Sequence, residues 1–294
     1  MATITTLNRE ISAPAPPARR YGILTAAASL GTLDAQGVAS GYTFAAEDCG
    51  MNVVPYDPTC TPGAQPLKTF TPGTDYVESD PYWLIASYQC GTVGTTQADV
   101  TRRVTKRYQA GVQNRLESVI WNGGGFAGVT PTLSGSGATV VIPGGGLTPG
   151  AGAAVSALED AFYGAHGYVG TIHVSTRAEA AVEYAGMVKS TGGAGQLKTP
   201  LGSVWSFGAG YDITGPADVA PAAGFAWAFM TPAVHLWSTS VDQPDPTATL
   251  DRVNNQWMAL AETVWMHSWI CDTVFAVQIP LAAPAVATAP AVPV

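Results

Sequence analysis

The chain has 294 residues, a length that suits one domain or two interleaved ones. Only 12% of the residues are charged, against roughly 25% in an average soluble domain, so the chain is poorly equipped to cover a solitary surface and points to burial against neighbours. A net charge of −8 argues against a globally basic nucleic-acid binder, and 33 Gly with 22 Pro stay below the share typical of low-complexity disorder.

The charge is uneven. Residues 1–121 hold nine Lys/Arg and ten Asp/Glu, whereas residues 122–294 hold four and eleven. Residues 1–20 read as an extended arm, with Pro14, Pro16 and Pro17 holding polyproline geometry. The N-terminus carries Arg9 and Glu10 and then prolines, with no apolar core of a signal peptide. Tyr21–Phe44 mixes apolar and small residues and gives no clear element. From Glu47 to Glu78 the turn formers Pro55, Pro58, Pro62, Gly63, Pro66, Pro72 and Gly73 accumulate between the β-type runs Met51–Val54 and Tyr82–Cys90. This is the pattern of a long protruding hairpin or loop.

The clearest helix comes next. Thr96 caps it, with Asp99 three positions on, and Val100, Val104, Tyr108, Val112, Leu116 and Ile120 form one apolar stripe. Arg102, Arg103, Lys106, Arg107 and Arg115 lie off the stripe, and Gly123–Gly125 end the helix. Residues 122–152 are Gly/Pro-rich with one β-type run, Ala138–Ile142. A second helix is expected over Ala153–Ala165 and a strand over Tyr168–Val174. A third helix, to about Val188, opens with the Thr176/Glu179 capping box. Strands follow at Ser203–Ile213, Phe225–Ser238 and most of Asn255–Ile279, ahead of an Ala/Pro/Val tail. That tail region, Thr273–Val294, is uncharged, but Pro280, Pro284, Pro290 and Pro293 break it, so it does not read as a membrane span.

The chemistry-bearing residues are sparse. No Gly-Lys-Ser/Thr phosphate loop, G-x-G-x-x-G helix opening or Gly-x-Ser-x-Gly elbow occurs. Cys49, Cys60, Cys90 and Cys271 have no metal-ligand spacing, and free thiols are expected without an export signal. His173 and His235 fall in apolar strand runs, as core or interface histidines do. The adjacent carboxylates Glu47-Asp48 and Glu159-Asp160 point apart on any regular element. Trp205, Trp227, Trp237, Trp257, Trp265 and Trp269 read as core and interface anchors. No catalytic residue, cofactor or metal is expected. The basic helix face either meets phosphates or pairs with acidic residues of another subunit, and the acidic chain favours the second.

The order of elements carries more than any motif: extended arm, long hairpin, a molecule-spanning helix ending in Ile120-Trp121-Asn122-Gly123, an α/β unit, closing strands. This order resembles the major capsid proteins of tailed phages, an α+β fold named after a Hong Kong coliphage and shared with encapsulins. Gly170-Thr171-Ile172-His173-Val174-Ser175 resembles the strand before the axial helix, and Leu201-Gly202-Ser203-Val204-Trp205 the turn and strand after it. Asp272-Thr273-Val274-Phe275-Ala276-Val277 resembles the closing strand, and the composition is similar to that of actinobacterial phages.

The resemblance implies an N-arm and the start of a peripheral domain at 1–45, an extended loop at 46–80, and a peripheral domain at 81–144 with a spine helix at 96–121. An axial domain at 145–240, a return to the peripheral domain at 241–280 and a C-terminal extension at 281–294 complete it. It further implies a non-enzymatic virion protein, assembled in the host cytoplasm as hexamers and pentamers into an icosahedral shell. That shell encloses double-stranded DNA without sequence-specific binding, with portal and scaffolding or decoration proteins as partners and no membrane. Arg102, Arg103, Lys106, Arg107 and the loop residue Lys68 are the candidate inter-subunit contacts. An encapsulin-like compartment shell, or a phage decoration or tail protein, are the alternatives.

Overall fold

The structure is a computed structural model that describes residues 21–46, 49, 75–135, 137–143, 150–190, 195–239, 245–271 and 273–281. In chain order these form α1 (Ile23–Ala26), β1 (Ser29–Thr32), α2 (Ala35–Ser40), β2 (Tyr42–Ala46), β3 (Asp75–Ser79), β4 (Tyr82–Gly91), α3 (Gln97–Asn122) and β5 (Thr139–Val140). There follow α4 (Ala151–His166), β6 (Thr171–Ser175), α5 (Glu179–Tyr184), β7 (Lys189–Ser190), β8 (Leu197–Lys198) and β9 (Val204–Gly208). Strands β10 (Phe225–Thr231), β11 (Val234–Ser238), β12 (Asp245–Asp251), β13 (Gln256–Trp269) and β14 (Phe275–Pro280) complete the set. The expected N-arm and the tail lie outside the described residues, as do the body of the 46–80 loop and Lys68; of that loop, the described part is chiefly its antiparallel root, β2 on β3.

Helix α3 has 26 residues, about 39 Å at 1.5 Å per residue. Its start is a full capping box: the Thr96 hydroxyl accepts from the Asp99 amide, and the Asp99 carboxylate accepts from the Thr96 amide. Its end is Gly123 at φ 80°, a left-handed cap that glycine adopts without a Cβ penalty. Of the apolar stripe, Val100, Val104, Tyr108, Leu116 and Ile120 are buried. A four-residue spacing overshoots the helical turn, so the buried face drifts and takes in Gln113, Glu117, Val119 and Trp121 towards the C-terminus.

The helix lies on a five-stranded sheet in which β13 is the centre. Strand β4 pairs along one edge of β13, and β12 and β11 pair in succession along the other, with β1 parallel to β11. Strand β13 is buried on both faces over its second half. Ala259, Ala261, Trp265 and Trp269 join the cluster under α3, while Val264 and Met266 join Leu33, Tyr42, Phe44 and Trp237 on the opposite side. The period-2 alternation therefore survives inside a run that reads as uniformly apolar.

The second sheet has the order β5-β14-β10-β6-β9-β8-β7. Helix α4 covers it, burying Val155, Leu158 and Phe162 against Ile172, Val174, Ala228, Phe275 and Val277. Strand β14 enters this sheet from the far end of the chain, whereas β11, only two residues after β10, belongs to the first. Pro232 and Ala233 break the expected Phe225–Ser238 strand into these two, since proline has no N–H for a ladder. The expected helix after Thr176 is shorter: a 3₁₀ turn at Thr176–Ala178 leads into α5, neither start has a side-chain cap, and Gly186 at φ 72° follows its end.

The expectation of free thiols is corrected at one pair. Cys49, just past β2, is bonded to Cys271, between β13 and β14, across 222 residues of sequence. The root of the loop is thereby tied to the end of the central strand. Cys90 is a free thiol.

Candidate functional site

The outward face of α3 holds the basic residues, and β4 runs beside it. Tyr88 of β4 sits between two of them. Arg103 donates to its hydroxyl at 2.8 Å, and the Arg107 guanidinium lies 4.8 Å from its ring centroid, in cation–π geometry. Arg107 also donates to the Ser87 carbonyl at 3.1 Å. Arg115 donates to the Gly124 carbonyl at 2.5 Å and stacks over Phe126. Arg102 pairs with Asp99 at 3.1 Å. The Thr96 hydroxyl and amide, and then Arg102, hold the Asp99 carboxyl down at about 2. Lys106 is exposed. Four of the helix's five cations are thus turned onto their own chain, where they clamp β4 and the helix end. A guanidinium has five donors, so a single hydrogen bond does not exhaust it.

Beside this clamp is an open groove of about 460 Å³ lined by Trp83, Ile85, Tyr108, Val112, Arg115 and Phe126 among others. Trp83 is 47% exposed and Ile85 58%. Strand β4 alternates as expected, with Tyr82 and Leu84 inward, but its outward positions 83 and 85 are apolar too. That double apolarity is readable in the sequence and marks an outer face richer in exposed apolar surface than a solvated strand needs. Arg107 and Arg115 border the groove, so it combines an apolar floor with positive edges.

The polar interior is organised for structure. His267 donates from Nε2 to the Pro131 carbonyl at 2.7 Å, a group that can only accept, which leaves Nδ1 to accept from Tyr82 Oη at 3.1 Å. In the second sheet Thr231 donates to the Pro232 carbonyl and so accepts from His173 Nε2 at 2.9 Å. His173 Nδ1 then accepts from Tyr211 Oη at 3.0 Å, which accepts from Ser206 at 2.8 Å. Burial drives both imidazoles towards the neutral form, to about 3 for His173 and about 4 for His267. Glu117 accepts from Gln113 and from the Gly210 amide at 2.9 Å. A Cβ at Gly210 would collide with the Asn114 carbonyl, so glycine is required where this loop touches α3. His235 is half-buried and bonded to Ser29. Of the adjacent carboxylates, Glu159 is buried and Asp160 exposed, as neighbours on a helix must be, and Glu47-Asp48 lies outside the described residues.

The tryptophans expected to anchor the core divide. Trp205, Trp227, Trp265 and Trp269 are buried, whereas Trp237 and Trp257 are half-buried. No group of three or more His, Cys, Asp or Glu that could hold a metal occurs among the described residues, and no described helix is long and apolar enough to cross a membrane.

No protein-family model matches the chain, and no curated protein matches it. Solved structures do. The capsid of an empty GTA particle superposes with a TM-score of 0.56 at 11% identity, covering 93% of this chain and 95% of that one. A structure from Microbacterium phage Oxtober96 gives 0.55 at 11%, again over 93% and 95%. The SrpI encapsulin from Synechococcus elongatus PCC 7942 gives 0.54 at 8%, over 96% of each chain. At such identities the likeness is one of fold, and the fold is that of the tailed-phage major capsid protein and the encapsulins, with α3 as its long spine helix.

Proposed function

We propose that this protein is a non-enzymatic shell subunit whose copies assemble into the icosahedral capsid of a phage around double-stranded DNA. The observation that carries the reading is the two-way coverage: the fold of a capsid and of an encapsulin is matched over nearly the whole of both chains. The low charge and the open apolar groove beside α3 support it, because both ask for a covering partner.

In this reading hexamers and pentamers tile the shell, and the N-arm and extended loop reach neighbouring copies. Interfaces between copies bury apolar surface such as Trp83 and Ile85. Lys106 and the guanidinium groups of Arg102, Arg103 and Arg107 meet acceptors on a neighbour, and Lys68 adds a contact from the loop. The net charge of −8 keeps the inner wall from adhering to packaged DNA. Portal and scaffolding or decoration proteins are separate partners, and assembly takes place in the host cytoplasm.

A compartment shell is the second reading, favoured by the encapsulin match. Sedimentation of the expressed protein, followed by nuclease treatment and analysis of what the particles retain, tests both. Fast-sedimenting particles with protected DNA support the phage reading, and a co-purifying cargo protein supports the compartment. A 30 kDa monomer under all conditions, including with a scaffolding protein, would refute both.

A further inference from the structure

Residues 282–294 follow β14 and lie outside the described residues, but their sequence has a strict period. Over 283–292 alanine holds every odd position, and Pro284, Val286, Thr288, Pro290 and Val292 hold the even ones. Alternation with period two is the pattern of a strand, and valine and threonine favour one. Both prolines of this stretch fall on the same parity. In a strand the backbone N–H groups of odd and even residues leave by opposite edges. A strand over 283–292 therefore has one edge with every N–H intact, supplied by alanines, and one edge that lacks two. Proline is tolerated in an edge strand when its nitrogen faces solvent, so such a strand pairs on one side only. The stretch carries no charge.

One described sheet edge fits it. Strand β5 ends the second sheet, paired with β14 on one side and with no described strand on the other. The Thr139 and Val141 amides donate towards β14, to the Val274 and Ala276 carbonyls. Those of Val140 and Ile142 consequently leave by the open edge. Both side chains are exposed, Ile142 to 78%. An apolar, unpaired edge is one that folded proteins cover. The chain leaves β14 beside it, at Leu281. Continuing the β5 register sets Ile142 level with Gln278, three residues before Leu281. A strand added to β5 is two strand spacings from β14, about 10 Å, and the step back to Ile142 is about 10 Å more, a diagonal of about 14 Å. The six steps from Leu281 to Ala287 reach about 20 Å. A tail that turns back this way runs antiparallel to β5.

The other segments outside the described residues fit less well. The arm over 1–20 joins at Tyr21, whose carbonyl accepts from Phe207 of β9, three strands along the sheet from β14. It carries Arg9, Glu10, Arg19 and Arg20, and Pro14, Pro16 and Pro17 fall on both parities. The loop over 50–74 carries Asp57 and Lys68, and Pro55 and Pro58 already differ in parity.

We infer that residues 283–292 add to the open edge of β5 of their own chain as an antiparallel strand, with the alanine amides and carbonyls towards Val140 and Ile142 and the proline nitrogens outward. Directly opposite residues share a face, so the alanines lie beside Val140 and Ile142. The Pro/Val/Thr row then lies beside Val141, which packs on the cluster under α4.

Hydrogen exchange at the Val140 and Ile142 amides reads the pairing directly. The full chain is compared with one ending at Leu281 and with two double variants of equal proline content, Ala287→Pro with Ala289→Pro and Val286→Pro with Thr288→Pro. Exchange at both amides should be about tenfold faster or more in the truncated chain and in the alanine variant, and unchanged in the Val/Thr variant. The amides of β10 report whether the sheet is intact, and where truncation loosens them the two proline variants decide. A chain with Ile142→Cys and Ala287→Cys, treated with a short bifunctional thiol reagent, should gain a link within one chain that is absent when either change is made alone. Equally fast exchange at Val140 and Ile142 in the full and truncated chains would overturn the inference. Equal effects of the two proline variants would overturn it too, because pairing through one edge requires them to differ. A link formed only between chains would give the edge to a second copy's tail and overturn docking within the chain.

Discussion

Acidification from pH 7 to pH 5 should cost the folded subunit about 4 kcal/mol through two histidines. His173 and His267 are fully buried and are neutral in the fold, with pKa values of about 3 and about 4. Unfolded, each titrates near its ordinary value of about 6.5. The folded pKa is depressed, so the unfolded chain binds more protons as pH falls, and stability is lost from about pH 6.5 downwards. At pH 5 the unfolded histidines are almost fully protonated while the folded ones are not. Each then contributes about 2 kcal/mol, from 1.36 kcal/mol per pH unit over roughly 1.5 units. His166 and His235, also shifted down by burial, act in the same direction. Asp34, Asp99 and Asp251 are shifted down as well, but they lose their contribution only below about pH 4. Since whole domains hold roughly 5–15 kcal/mol, the acid effect is large. Urea unfolding of the dispersed protein, followed by tryptophan fluorescence at pH 7.5, 6 and 5, measures it. His267→Gln should roughly halve the slope with pH, whatever it does to stability at pH 7.5. An unfolding free energy that is flat between pH 7 and 5 would refute the reasoning.

Trp121 is fully buried, edge-on to Phe229 at 4.9 Å, and donates to Thr214 at 3.3 Å, so Trp121→Ala should cost about 3–5 kcal/mol in chemical unfolding. A loss under 1 kcal/mol would mean that this packing is wrong. The Cys49–Cys271 bond closes a 222-residue loop, for which chain entropy gives at most about 5 kcal/mol. Reductant should therefore lower the melting temperature of the oxidised subunit, and alkylation without reductant should leave both cysteines unmodified. Full alkylation of both under non-reducing conditions would contradict the bond.

How much of this was legible in the sequence varies with the kind of force involved. Helix α3 was readable almost to the residue because its signals are local: Thr96, Asp99, a four-residue apolar stripe and Gly123. Helix α4 and strand β6 were found for the same reason. The division of strands between the sheets was not readable. Nothing within Phe225–Ser238 says that the two sides of Pro232 join different sheets, or that Phe275–Pro280 pairs with β10, because pairing partners lie far apart in sequence. Strand β12 has little apolar alternation and is held by β13, so tertiary pairing makes it a strand. The basic helix face was found, but its targets on β4 were not, since Tyr88 gains its role only when β4 lies beside α3. Glu159 and Asp160 do point apart, as adjacent helical residues must. The pocket that Glu159 lines draws on α4, β10 and the turns before β6 and β9, which no local pattern brings together.

Negative-stain electron microscopy of the overexpressed, purified protein, with light scattering on the same sample, tests the central claim most directly. Closed shells, or rings of five and six subunits, are the predicted result, with a scaffolding protein added if the subunit alone remains dispersed. A uniform monomer in both preparations would contradict the account.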